Sequence, residues 1–225
     1  EWPMLKNILS IGLSPFLLQL AASVTSFLFN KSLIVYGGEM SVAAMGVISR
    51  SAMMILMPIF GINQGAQPII GFNYGAHRYD RVKKALTLAA TAATIICVVG
   101  FILVEFFARG IISAFNNDPE LLAIGTKGIR IYLCMLPIIG LQIIITNYFQ
   151  STGKAGKAIL LSLTRQVLFL IPLILTLPLV FGLNGIWISG PVSDLAASLL
   201  AILLFKKELK HLNDKHEMGF VDAVR

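Results

Sequence analysis

The apolar residues of this chain fall into blocks of about twenty, each ended by a short cluster of charge, and that spacing restricts the fold more than any single motif. A helix rising ~1.5 Å per residue needs ~20 residues to cross the ~30 Å hydrocarbon layer of a bilayer. Six such blocks are read here, at residues 8–30, 41–70, 85–106, 123–148, 158–181 and 184–205. The second is long enough to tilt, kink or continue beyond the bilayer. Short hydrophilic joints separate the blocks, and none has room for a soluble domain. The expected fold is all-α: a polytopic transmembrane helical bundle of six spans over residues 1–205, with a basic cytoplasmic tail over 206–225.

Composition agrees with that class. Hydrophobic residues make up 56% of the chain and charged residues 13%, against roughly half and a quarter in soluble domains. A net charge of +7 would suggest nucleic acid in a soluble protein. Here it is expected to reflect basic loops at a membrane face, so the partner is the bilayer and not nucleic acid. Cys97 and Cys134 both sit inside apolar blocks, which points to neither a disulfide framework nor a zinc site. No cleavable signal peptide is apparent, and a chain that begins at Glu1 is expected to lack an N-terminal portion.

Basic residues set the expected orientation. Arg78, Arg81, Lys83 and Lys84 follow the second block, Lys154 and Lys157 the fourth, and Lys206, Lys207, Lys210 and Lys215 the sixth. The other side holds Lys31 and Arg109, with Lys127 and Arg130 entering the fourth block. The positive-inside rule then places both termini in the cytoplasm, with the tail as a topology anchor.

Polar residues inside the blocks are where function is sought. Gln19, Ser23, Ser26 and Asn30 share one face of the first helix, as a cavity lining or as inter-helix hydrogen bonds. In the second, Arg50, Met54, Met57, Gly61 and Gln64 share a side. Flexible methionines there suit varied apolar ligands, although such a stripe is more often plain packing. Arg50 and Asp194 lie at similar expected depth, so they are expected to face the bundle interior and pair, as a structural contact or a protonatable coupling site. The stretch 58–84 adds a polar run with Asn63, Gln64 and Gln67, and two GxxxG spacings, Gly61–Gly65 and Gly71–Gly75, which favour close helix approach. Pro58 and Pro68 are expected to break this helix, and Pro15 to kink the first, making all three candidate hinges. Gln142, Thr146, Asn147 and Gln150 form another amide-rich helix end. The joint after it echoes the joint after the second block, a faint repeat of about three spans. Arg165 is read as snorkelling to the interface and Glu105 as solvated. An intramembrane enzyme would need a clustered nucleophile and base, or metal ligands, at depth. His77, His211 and His216 all fall in cytoplasmic segments, so no enzyme and no cofactor is expected.

The string GINQGAQPIIGFNYGAHRYDRVKKAL resembles the second-half signature of the MATE family, the multidrug and toxic compound extrusion transporters. Pro15, FQSTGKAGKA at 149–158 and NGIWISGPVSDLAASLLAILLFKKEL extend the resemblance over almost the whole chain. It implies twelve spans in two six-helix lobes related by an axis along the membrane normal, with this chain as the C-terminal lobe. It also implies cation-coupled antiport of organic, often cationic and amphipathic compounds at the cell membrane, through a cleft between the lobes. The remaining partner would be the N-terminal lobe or a second copy. The sodium-coupled branch carries a glutamate in the first span of this lobe and an aspartate in the fourth. Gln19 and Ser23 occupy the first region here, and no carboxylate stands between Gly125 and Gln150. The coupling ion, H+ or Na+, therefore has no site assigned in this lobe, and a proton-coupled type is favoured. The alternatives are a lipid-linked oligosaccharide flippase of the same superfamily and a non-transporting half-transporter or partner subunit.

Overall fold

The computed structural model describes the backbone of residues 2–224 and the side chains of residues 16, 19–154 and 156–209. The side chains of Pro15, Lys210, His211, Lys215 and His216 lie outside the described residues. The helices run in the order α1 (Trp2–Gly75), α2 (Tyr79–Ser113), α3 (Pro119–Tyr132), α4 (Leu136–Ser151), α5 (Ala155–Leu163), a π-helical segment (Thr164–Leu170), α6 (Ile171–Phe181) and α7 (Leu183–Val224).

A straight helix the length of α1 would reach ~110 Å. Instead it folds back at Gly38, whose φ of 69° and ψ of −174° leave the helical region. Only glycine takes that conformation without a Cβ penalty. Thr25 and Phe29 of the first limb line the same cavity as Val42 and Met45 of the second, so the limbs lie side by side. Gly38 is the only residue of α1 with non-helical dihedrals. Pro58 and Pro68 therefore do not break the helix as expected. Proline's φ near −65° is itself helical, so the backbone keeps helical dihedrals here although each ring removes one hydrogen bond and crowds the carbonyl one turn back.

Four helical stretches are long and apolar enough to cross a membrane, Gln19–Gly75, Tyr79–Ser113, Gly156–Phe181 and Leu183–Leu209. The pair α3–α4, bent by 51°, makes a fifth. Asp118 starts that pair by accepting hydrogen bonds from the N–H groups of Glu120 and Leu121, with Pro119 in the first turn. The break between the two helices precedes Pro137, in the first turn of α4.

One stripe from each helix builds the core. Ile48, Ile59 and Ile70 come from the second limb of α1, Val82, Leu86, Ala93 and Cys97 from α2, Ile144, Tyr148 and Phe149 from α4, and Ile186 and Trp187 from α7. Close approach is made by small residues, but mostly not in the expected motifs. A Cβ on Gly140 would lie 2.8 Å from the Ala93 carbonyl oxygen, whereas Gly61, Gly65 and Gly75 face open space. Of those four motif glycines only Gly71 is approached, at 3.0 Å by the Ser151 carbonyl oxygen. That contact joins the ends of α1 and α4, so the two joints that echo each other in sequence also lie together in space.

Candidate functional site

On α7, Trp187, Pro191, Asp194 and Ser198 recur at helical spacing and are all buried. Asp194 does not pair with Arg50. Its Oδ1 accepts a hydrogen bond from Arg165 Nε at 2.5 Å. Arg50 stands two residues beyond the core residue Ile48, ~200° round the helix, and is exposed with Met54, Met57, Gly61 and Gln64. Similar depth is therefore a poor guide to pairing. Arg165 does not simply snorkel either. It is the second residue of the π-helical segment, which turns the following side chains out of α-helical register. A periodicity of 3.6 residues cannot anticipate that rotation. Glu105 lies 3.9 Å from Arg130, with both side chains partly exposed.

The Arg165–Asp194 pair forms part of the wall of a half-open cavity of about 590 Å3. The second limb of α1, the bent α3–α4 pair, α5 with its π segment, and α7 enclose it. Met53, Leu56 and Phe60 supply apolar lining, and Asn63, Gln142, Asn147 and Gln166 supply amides. Two cross-helix hydrogen bonds hold two of these amides, Gln142 and Asn147, in place. Ser198 Oγ donates to Gln142 Oε1 at 3.0 Å, and Asn147 Nδ2 donates to the Asn63 carbonyl at 3.1 Å. Asn63 Oδ1 and Gln166 Oε1 are buried acceptors with no donor among the described residues. A second cavity of about 480 Å3 lies between the limbs of α1 and is lined by Ser26, Asn30 and Met45. Ser49, Tyr132, Arg165 and Gln166 border both. The ion pair thus stands at the partition between two polar-apolar chambers. Concave sites with a few fixed polar groups on apolar walls hold small organic molecules.

The expected lining residues divide between these places. Asn63 borders the first cavity, and Ser26 and Asn30 the second. Gln19, Ser23, Gln64, Gln67, Pro58 and Pro68 are exposed. Ser23 Oγ donates to the Gln19 carbonyl of its own helix at 3.0 Å. Met54 and Met57 are 70% and 64% exposed, outside the cavity that their neighbour Met53 lines. The lining from α4 is visible in the sequence as an amide run, though not as part of a site, and Arg165, Gln166 and Tyr132 carry no sequence signal as cavity residues.

A second polar cluster ties the basic end of the bundle. Glu208, only 4% exposed, bonds Lys154 and, at 3.0 Å, Lys157. Lys154 also lies over the Tyr74 ring and Lys157 over the Phe149 ring, each 5.4 Å from the centroid. Burial works against the charge of Lys154, but hydrogen bonds to Glu208 and Tyr74 outweigh it and raise its pKa. Among the described residues no three His, Cys, Asp or Glu side chains are grouped to hold a metal ion.

The chain is 24% identical over 201 residues to the multidrug export protein MepA of Staphylococcus haemolyticus, covering 89% of this chain and 44% of that protein. The solved structure of the MATE multidrug transporter DinF-BH is 36% identical, with a TM-score of 0.79 over 91% of this chain and 46% of that one. The inward-facing conformation of a MATE family transporter of the MOP superfamily superposes with a TM-score of 0.85 at 23% identity, over 95% of this chain and 50% of that one. The chain thus spans about half the length of the proteins it matches. The MatE family model matches residues 15–176, most of the helical bundle, and the chain belongs to this family of membrane transporters.

Proposed function

We propose that the chain is one lobe of a secondary active multidrug exporter, moving organic, often cationic and amphipathic compounds in exchange for H+ or Na+. The observation that carries this reading is the half-open cavity of about 590 Å3, with its amide lining and its Arg165–Asp194 wall, in a chain of the MatE family. The exposed faces of α1 support the two-lobe arrangement. Gln19, Ser23, Arg50, Gln64 and Gln67 are polar groups on a membrane helix with exposed surfaces. Such groups are costly against lipid, and a facing lobe or a water-filled cleft removes that cost. Counting the two limbs of α1 separately gives six crossings, with the Gly38 turn on one side and the basic joints on the cytoplasmic side of the cell membrane.

In this reading the cavity holds the substrate through neutral amides and apolar surface. Asp194 is already paired with Arg165, and the coupling ion has no site assigned in this lobe. Access alternates by changes of helix bend, with Pro15, Pro58 and Pro68 as hinge candidates. The flippase alternative needs a more cationic cavity, and the cation in this cavity wall is neutralised by Asp194.

The test is gradient-driven efflux of a fluorescent lipophilic cation from vesicles. The chain is reconstituted alone and joined to an N-terminal MATE lobe, under an imposed pH or sodium gradient. Transport by the joined form and little by the chain alone is expected. Absence of gradient-dependent efflux in both would reject the transporter reading in favour of a non-transporting subunit. Pro58→Ala and Pro68→Ala should lower efflux in the active form at normal expression.

A further inference from the structure

A groove on the outer surface between α1 and α2 has a chemistry unlike that of the two cavities. Its volume is about 460 Å3, and its walls are Ile62, Ala66 and Ile69 from α1 and Ala85, Leu88, Ala89 and Ala92 from α2. The floor is alanine, and the larger Ile62, Ile69 and Leu88 form the rims. A channel with a small-residue floor between bulky ridges accepts a narrow hydrocarbon chain. At its mouth stand two cations, Arg81 and Lys84, both exposed. Arg81, Lys84 or Ala85, Leu88 and Ala92 recur at helical spacing, so the cations and the apolar floor form one stripe.

The dimensions match one leaflet. From Arg81 to Ala92 the helix rises about 16 Å at ~1.5 Å per residue, close to half of the ~30 Å hydrocarbon thickness. The charged mouth then sits at headgroup level when the alanines sit in the acyl layer. Arg81 and Lys84 belong to the basic joint, on the side where anionic lipids concentrate. A detergent-like substrate in transit would meet the same apolar walls, but only a ligand with an anionic head uses both cations.

From this shape and charge we infer that the α1–α2 groove binds an anionic phospholipid, its phosphate between Arg81 and Lys84 and one acyl chain along Ala85, Ala89 and Ala92. The site is separate from the substrate cavity and shares no lining residue with it. The inference does not depend on transport.

The experiment is native mass spectrometry of the purified chain in detergent, titrated with dioleoyl phosphatidylglycerol or dioleoyl phosphatidylcholine. Phosphatidylglycerol should be retained in preference. Each cation near a membrane surface accounts for about a fivefold change in affinity, so Arg81→Gln with Lys84→Gln should lower phosphatidylglycerol binding roughly 30-fold. Ala92→Phe, which fills the groove and keeps both cations, should also abolish the preference. Arg78→Gln with Lys206→Gln removes the same charge from exposed positions outside the groove and should leave it intact. Circular dichroism and gel filtration confirm that each variant is folded. The inference is overturned if the control pair loses as much binding as the groove pair, or if Ala92→Phe binds like the unmodified chain. It is also overturned if glycerol phosphate alone competes as well as the lipid.

Discussion

Arg165 and Asp194 meet at 2.5 Å across the gap between the π-helical segment and α7, and the two sides of this pair are unequally sheltered. The Asp194 side chain is 6% exposed, whereas that of Arg165 is 38% exposed and reaches both cavities. The carboxylate therefore depends on the guanidinium for its compensation. The guanidinium retains access to water in the chambers.

That inequality predicts an asymmetric response to mutation. Arg165→Gln strands a buried carboxylate and should cost about 3 kcal/mol, near the low end for an uncompensated buried charge. Asp194→Asn leaves a partly solvated cation and should cost about 1 kcal/mol. The double variant should be more stable than Arg165→Gln alone. Thermal unfolding of the four proteins in detergent closes the cycle. Equal losses for the two single variants would refute the asymmetry.

Arg50, the partner that sequence depth suggests, should behave as an ordinary exposed side chain in the isolated chain. Arg50→Gln is expected to change stability by less than about 0.5 kcal/mol. A loss comparable to that of Arg165→Gln, measured in the same melts, would restore an interior role for Arg50.

Most of the helical content was legible because apolar block length is a strong physical constraint. The blocks at 85–106 and 184–205 fall inside α2 and α7. Helical spacing puts Trp187, Pro191, Asp194 and Ser198 on one stripe of α7, where all four are buried. Partner choice was not legible. By counting residues Asp194 has one basic residue, Arg50, at similar depth, whereas its partner Arg165 lies on the π segment, and only the folded structure distinguishes them. The methionine stripe shows the related limit. Periodicity puts Met54 and Met57 on a common side, but which side faces the bundle is set by Ile48, Ile59 and Ile70.

Glycine contacts give a further prediction. Gly140→Ala would push a methyl against the Ala93 carbonyl at 2.8 Å, a backbone atom with little room to move. It should destabilise by about 1–3 kcal/mol through overpacking. Gly61→Ala meets nothing within 4 Å, and should be neutral or stabilising by up to ~1 kcal/mol because alanine is the better helix former. Melting both variants side by side decides it. Destabilisation by Gly61→Ala and tolerance of Gly140→Ala would contradict the packing described.

The Glu208 cluster supplies the pH-dependent prediction. Lys154 has its pKa raised in the folded state because Glu208 and Tyr74 outweigh burial. Its contribution is therefore fully present below the unfolded lysine value and is lost as pH rises through the folded one. The stability difference between the unmodified chain and Lys154→Gln should accordingly stay flat from neutral pH up to the ordinary lysine range, then shrink as the solution becomes more alkaline. Glu208→Gln should remove most of that difference at neutral pH, since it takes away the carboxylate shared by Lys154 and Lys157. Amide hydrogen exchange across residues 151–157 reads the local effect, with faster exchange expected in both variants. A Lys154→Gln difference that already vanishes near neutral pH would mean that Lys154 is not stabilised by Glu208, and that the joint between α4 and α5 is held by its aromatic contacts alone.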